Sequence, residues 1–196
     1  MSGRRLFDVT CAGTTLVLAS PLLALAAIAI KLDDRGPVLY RQMRVGKDGR
    51  DFELLKLRTM VVGAEKIGAG YAVNRGDSRI TKAGRVLRRL SIDELPQLWN
   101  VVRGDMSVIG PRPTLRYQVE RYDERQVHRL DVKPGITGWA QIHGRAEIPW
   151  VDRIELDLWY VRHRSPSVDL KILVRTPLAL FGGTYKGESG GWTPVE

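Results

Sequence analysis

The stretch VTCAGTTLVLASPLLALAAIAI, residues 9–30, contains no Asp, Glu, Lys or Arg. As one straight helix rising about 1.5 Å per residue it would measure roughly 33 Å, close to the hydrocarbon thickness of a bilayer at about 30 Å. Ser20-Pro21 falls in its middle. Proline removes the backbone donor that serves the Val17 carbonyl and bends a helix there, and the Ser20 hydroxyl is placed to take that carbonyl instead. Arg4 and Arg5 precede the run; Lys31, Arg35, Arg41 and Arg44 follow it. Three readings fit parts of this pattern. A kinked spanning helix fits the length, and a re-entrant hairpin with two arms of about 15 Å keeps both basic flanks on one side. A secretory signal fits the twin arginines and the small-x-small pairs at residues 24–26 and 27–29, although basic residues directly after the cleavage point argue against export.

Working outward, 196 residues suffice for one domain, and no internal repeat or linker marks a second. The expected organisation is a membrane segment with basic flanks over residues 1–35, the main domain over 36–182 and a glycine-rich tail over 183–196. Thirty-one basic against 22 acidic residues give a net charge of +9. The partners expected from this are anionic: phosphates, nucleic acid or an acidic membrane face. The single cysteine, Cys11, excludes an intrachain disulfide framework and fits a reducing, cytoplasmic setting. With 43% hydrophobic and 27% charged residues, disordered and many-span membrane classes are excluded.

Beyond Gly36-Pro37, which stops the helix, residues 38–60 read as a β-hairpin around the turn cluster Gly46-Lys47-Asp48-Gly49. Residues 63–77 are glycine-rich and aperiodic, a loop expected to be mobile. Helical spacing resumes at Thr81, and Val108-Ile109 forms a short strand. Residues 117–130 are expected to form one charged helix, and residues 169–181 another whose apolar stripe is Leu170, Leu173, Val174 and Leu178. Phosphate-loop, HExxH, paired CxxC, GxSxG and GxGxxG signatures are all absent.

Chemistry concentrates in LSIDELPQLWNVVRGDMSVIGPRP, residues 90–113. Ser91 with Glu94 fits a capping box, and Asp93 then faces a helix dipole without further function. Pro96 points the other way, since a proline at the start of a helix places that start near Leu95 or Pro96 and leaves Asp93 and Glu94 on irregular backbone ahead of it. Only such a break lets adjacent carboxylates serve one ligand. They suit Mg²⁺, or one of them suits attack on phosphorus. Arg112, framed by two prolines, offers a two-point fork for phosphate; Arg88, Lys56, Arg58 and Arg145 are further cation candidates, each of which also reads as a plain surface charge. His128 and His163 read as surface residues, whereas His143 is a candidate pocket residue. Trp139, Trp150 and Trp159 read equally as core, interface anchors or stacking platforms. The arginines at 85–89 lack any accompanying nucleic-acid reader motif.

Several long stretches together resemble the bacterial sugar transferases, the monotopic phosphoglycosyl transferases. These are RRLFD from Arg4, the Ser20-Pro21 break, FELLKLRTM from Phe52, the 90–113 segment, PGITGWAQIHGR ending at Arg145, and the later ELDLWY and VDLKIL. The resemblance spans nearly the whole chain. It implies an α/β fold: an N-terminal re-entrant helix broken at Ser20-Pro21, followed by a small mixed α/β catalytic domain with interfacial amphipathic helices. It also implies an inner-membrane enzyme whose catalytic domain faces the cytoplasm and which works as a minimal catalytic unit. The implied reaction moves a sugar 1-phosphate from a UDP-sugar to a polyprenol phosphate, usually undecaprenyl phosphate, releasing UMP with Mg²⁺ as cofactor. By similarity Asp93 is the nucleophile, Asp93 and Glu94 hold the metal, and Arg112, Arg88, Lys56, Arg58 and Arg145 bind phosphate. No nucleic-acid partner is expected, and a homodimer is left open. His143 departs from the asparagine that many relatives carry, which bears on nearby sugar or nucleotide contacts. A membrane-anchored anion binder and a silent scaffold are the competing classes, and neither needs an Asp-Glu pair placed before Pro96.

Overall fold

The computed structural model describes residues 2–181, apart from 69, 71, 72, 74, 75 and 145–147. The first element, α1 (Gly3–Asp34), is one helix that runs through Pro21 rather than two half-helices separated by a non-helical break. The Ser20 Oγ donates to the Val17 carbonyl at 2.7 Å, filling the place of the amide that Pro21 lacks. Both ends of α1 are tied to the rest of the chain. Near its start, Arg5 donates to the Val101 and Val102 carbonyls, and the buried Asp8 accepts from Ser107 Oγ and the Val108 amide, each at 2.9 Å. Near its end, Asp34 pairs with both terminal nitrogens of Arg58, and Asp33 accepts from the Ala83 amide at 2.8 Å. Between these anchors Ala12, Leu16, Leu23, Ala26 and Ile30 face the domain, while Val17, Leu18, Leu25, Ile28 and Leu32 are exposed.

The expected hairpin is present. Strands β1 (Leu39–Val45) and β2 (Asp51–Leu57) pair antiparallel, Leu39 opposite Leu57 and Val45 opposite Asp51. The turn carries Asp48 at φ 56°, a left-handed conformation that Asp tolerates better than most residues. Phe52 and Leu54 point inward from β2 with the alternation of a half-buried strand. Helix α2 (Lys82–Arg89) begins at Thr81, whose Oγ1 accepts from the Gly84 amide at 3.0 Å, a cap worth about 1 kcal/mol. Gly84 permits the close packing of α2 on β2's exit, since a Cβ there would lie 2.0 Å from the Thr59 carbonyl oxygen. The 63–77 loop is organised within its described part: the buried Arg79 pairs with Asp77 and donates to the carbonyls of Ala64, Ile67 and Gly70.

Helix α3 (Gln97–Arg103) leads to β3 (Ser107–Ile109), which pairs in parallel with β4 (Gly135–Thr137). The connection contains α4 (Arg116–Val119) and a 3₁₀ turn at Gln126–Leu130 instead of the single helix expected over 117–130. The break is chemical: the Asp123 carboxylate accepts from the Arg125 and Gln126 amides, an Asx-type turn that outcompetes continued helix. Three helices follow, α5 (Trp139–Ile142), α6 (Trp150–His163) and α7 (Pro166–Phe181). Helix α7 begins three residues ahead of the expected start and turns Ile172 into the core, while Leu170, Val174 and Leu178 of the expected stripe are exposed. The larger core joins Ala12 of α1 to Phe52, Leu54, Val101, Met106, Trp139, Tyr160 and Ile172. A smaller cluster joins Ala26 and Ile30 to Leu57 and Leu87. The architecture is thus the expected mixed α/β domain carrying one long apolar helix; the tail expected from 183 onward lies outside the described residues.

Candidate active site

Ser91 adopts a left-handed conformation (φ 55°) and makes no capping bond, so the capping-box reading fails. Ile92–Glu94 forms a single 3₁₀ turn, and α3 starts only after Pro96. This irregular turn is what the proline position predicts, and it sets both carboxylates on one wall of a groove of about 1990 Å³. Strand β2 supplies the opposite charge. The buried Asn100 of α3 donates from Nδ2 to the Glu53 carbonyl at 2.7 Å and accepts from the Leu55 amide at 3.0 Å, which clamps β2 to α3 and presents Lys56 to the turn. Lys56 Nζ then donates to Glu94 Oε1 at 3.1 Å, and Arg112 Nη2 donates to the same oxygen at 2.7 Å.

The two carboxylates differ sharply. Burial raises Asp93 from 3.8 to about 6, helped by the Glu94 charge and opposed by Lys56, Arg88 and Arg112. Its side chain has no hydrogen-bond or ion-pair partner among the described residues. Burial also acts against the charged form of Glu94, but the charges and hydrogen bonds of Arg112 and Lys56 hold it well below the carboxylate range. One carboxylate is therefore locked as an anion, and its neighbour is uncommitted and desolvated. That combination suits a nucleophile beside a fixed charge.

Lys56, Arg88 and Arg112 are brought to the groove as the sequence suggests. Arg58 requires a correction. It reaches the groove wall, but its guanidinium is spent on Asp34 and the Pro37 and Met60 carbonyls, so it anchors the end of α1 rather than serving phosphate. Arg145 lies outside the described residues. His143 bonds the Trp139 carbonyl through Nδ1 at 2.8 Å and lies tilted against that ring, at the end of a row in which Trp139 stacks on Trp159 and Trp159 on His163. His128 is exposed and pairs with Asp131, as a surface histidine should.

Sequence reasoning missed the support beneath Arg112. Arg129 is 4% exposed and donates from Nη2 to the Arg112 carbonyl at 2.7 Å, from Nε to Asp157 Oδ2 at 2.7 Å and from Nη1 to the Tyr122 hydroxyl at 2.7 Å. A charge buried so deeply and bonded so fully fixes the backbone of the Pro111-Arg112-Pro113 segment. The only sequence signal was an arginine in an otherwise unremarkable charged run. Arg4 was also read only as a basic flank, whereas it joins α1 to Asp169, Tyr160 and the Ile109 carbonyl.

An apolar helix long enough to cross a membrane, laid along a small α/β domain with a carboxylate pair facing cations in one groove, suits a protein that meets anionic ligands at a membrane. The family description "Bacterial sugar transferase" matches residues 1–183, and the chain belongs to that family. It is 46% identical over 173 residues to the "Uncharacterized sugar transferase EpsL" of Bacillus subtilis (strain 168), covering 88% of this chain and 84% of that one. It is 45% identical to the "UDP-glucose:undecaprenyl-phosphate glucose-1-phosphate transferase" of Caulobacter vibrioides, covering 91% of this chain and 69% of the relative. It is 46% identical to the "Undecaprenyl-phosphate glucose phosphotransferase" of Komagataeibacter xylinus, but spans only 35% of that longer protein.

Proposed function

We propose that this protein transfers a sugar 1-phosphate from a UDP-sugar to undecaprenyl phosphate, releasing UMP, through a covalent intermediate on Asp93. The observation that carries the reading is the unpartnered, desolvated Asp93 beside a Glu94 locked by Lys56 and Arg112. In the first step an Asp93 oxygen attacks the β-phosphorus. A P–O bond forms to the carboxylate as the bond to the bridging oxygen breaks, and UMP leaves with that electron pair. Arg112, Lys56 and Arg88 stabilise the charge that develops on the phosphoryl oxygens. In the second step an oxygen of the acceptor phosphate attacks the same phosphorus, and the carboxylate of Asp93 is released.

The donor set suits Mg²⁺. Lys56 and Arg112 both bind Glu94 Oε1, leaving Oε2 and the Asp93 carboxylate as the ligands this chain offers. Among the described residues no third acidic or histidine side chain joins them, which matches an ion that takes one or two carboxylates and completes its shell with water and phosphate oxygens. Bound there, the ion supplies neutralisation of diphosphate charge. Glu94→Gln is expected to raise the Mg²⁺ concentration for half-maximal rate by roughly tenfold or more; an unchanged titration removes Glu94 from the metal site.

Both ends of α1 are bonded to the same domain, which supports a helix whose two ends stay on one face of the bilayer. Arg4, Arg5, Lys31 and Arg35 at the two ends favour the cytoplasmic face. The deciding experiment is UMP release from a panel of UDP-sugars by detergent-purified protein with undecaprenyl phosphate and Mg²⁺. Mass spectrometry of the enzyme incubated with donor alone completes it. Release with one donor, and a sugar-phosphate adduct on Asp93, are the expected results. Release without any adduct overturns the covalent route, and no release with any donor overturns the transferase reading.

A further inference from the structure

The groove that holds the dyad is larger than one substrate needs. Small-molecule sites occupy about 300–1,000 Å³, whereas this one reaches about 1990 Å³. Its lining also joins two kinds of chemistry. Lys56, Arg88 and Arg112 stand beside the dyad, and α1, β4 and α7 contribute Thr15, Leu22, Ile136, Leu178 and Ala179. A UDP-sugar is polar throughout and gains little from that apolar part.

Helix rotation is fixed there. Leu16 and Leu23 pack on the two cores, so Thr15 and Leu22, seven residues apart and hence on one face, lie at the margin where the domain meets the helix flank. Leu22 is 42% exposed and Leu178 is 73% exposed, although both line the groove. Leu178 continues the outward row of Leu170 and Val174, at spacings of four on α7. Apolar side chains that suit lipid therefore share one groove with the cations around Asp93, with Thr137 and Thr176 between β4 and α7 also on its wall.

We infer that this trough between α1 and α7 seats the first isoprene units of the acceptor, delivering its phosphate laterally from the bilayer to Asp93. The inference rests on the transferase reading above and adds to it the residues that select a lipid-borne acceptor. A ligand with a phosphate head and a linear chain of methyl-branched apolar units matches the cationic and apolar parts of the groove in character. Burying one leucine against the chain corresponds to roughly tenfold or more in acceptor affinity.

The test uses the full chain in nanodiscs, with Leu22→Asn and Leu178→Asn as groove variants and Val17→Asn as a control. Val17 is 71% exposed and does not line the groove, so it perturbs membrane contact alone. Two quantities are read: stoichiometric UMP release with donor alone, and KM for undecaprenyl phosphate beside KM for isopentenyl phosphate, a single-isoprene acceptor. Each groove variant is expected to keep the donor half-reaction within twofold and to raise the undecaprenyl phosphate KM roughly tenfold or more. Neither should alter the KM of the short acceptor, and Val17→Asn should alter neither. An equal rise for both acceptors, an equal rise in the control, or an unchanged KM because an ordinary phospholipid chain fills the trough would each overturn the inference. Absence of UMP release by the wild-type protein is a failure of the transferase reading itself, and is recognised before any variant is compared.

Discussion

The turn around Asp93 and the connection around Arg129 both take charge out of water, and they treat it in opposite ways. Arg129 meets Asp157, Tyr122, Thr114 and the Arg112 carbonyl, so nearly every donor it has is used. Asp93 meets no hydrogen-bond or ion-pair partner among the described residues, although three cations stand close enough to oppose its raised pKa. A saturated buried ion stiffens what it touches, and an unsaturated one is a cost that folding alone does not explain. The difference separates scaffold from reactive group, with Arg112 as the link: its carbonyl belongs to the first and its guanidinium to the second.

The sharpest way to break this distinction is Asp93→Asn. Turnover should fall on the order of 10⁶-fold, the scale on which a covalent nucleophile is lost, measured as UMP release. Stability should move the other way. The folded-state pKa of about 6 lies above the ordinary 3.8, so the favourable contribution is complete below about 4 and is lost as pH rises through about 6. At pH 7 the amide is therefore expected to unfold at higher temperature than the wild type, with a gain of about 1–3 kcal/mol. The wild-type donor half-reaction should decline as pH falls through about 6, when the nucleophile protonates. A stability unchanged or lowered at pH 7 would mean that Asp93 is satisfied after all.

Arg129→Met tests the other side. Leaving Asp157 buried without its partner should cost about 3–5 kcal/mol in thermal or urea unfolding, and adding Asp157→Leu should return most of it because two apolar side chains replace the pair. If Arg129→Met is nearly silent, the saturated connection does not act as a scaffold.

What the sequence revealed of these regions follows from the range of the interactions. The hairpin, the start of α2 and the irregular turn ahead of Pro96 were legible because turn residues, the Thr81 cap and a proline act within a few positions. Asp93, Glu94, Lys56 and Arg112 were legible as a set only through chemistry and resemblance, since nothing local says that β2 lies against residue 94. Arg58 was misassigned for the same reason: its partner Asp34 lies across the α1–β1 connection, and an arginine looks alike whether it waits for phosphate or closes a helix end. Residues 117–130 misled because helix propensity and charge spacing outvoted Asp123, whose carboxylate takes two amides and turns the chain. Arg129 and Asp157 gave no signal, because burial of an ion pair depends on packing that residue types alone do not encode.

The Arg58 correction can be sharpened into a contrast with Arg112. Hydrogen bonds from Arg58, against a smaller opposing effect of burial, lower the Asp34 pKa, so the pair stabilises the fold above the ordinary carboxylate pKa and loses that contribution as pH falls through the lowered one. Asp34→Asn should cost about 1–3 kcal/mol of stability and leave the KM for UDP-sugar within twofold. A large rise in that KM would return Arg58 to the phosphate site.

The smallest expected effect tests whether saturation extends into α1. Ser20 Oγ meets the Val17 carbonyl because Pro21 has no amide hydrogen to offer. Ser20→Ala leaves that carbonyl without a donor in an apolar setting, at a cost of about 0.6 kcal/mol by the scale of hydroxyl bonds within membranes. Pro21→Ala restores an amide at position 21 that reaches the same carbonyl, so in that background Ser20→Ala should cost nothing. The readout is a double-substitution cycle on unfolding in a fixed detergent mixture. If the cost of Ser20→Ala is the same with either residue at position 21, the hydroxyl is not standing in for the missing amide, and α1 passes Pro21 by local adjustment of its own backbone. If the cost vanishes as expected, the helix remains continuous because Ser20 supplies the donor that Pro21 cannot, and the Val17 carbonyl is met as the donors of Arg129 are met.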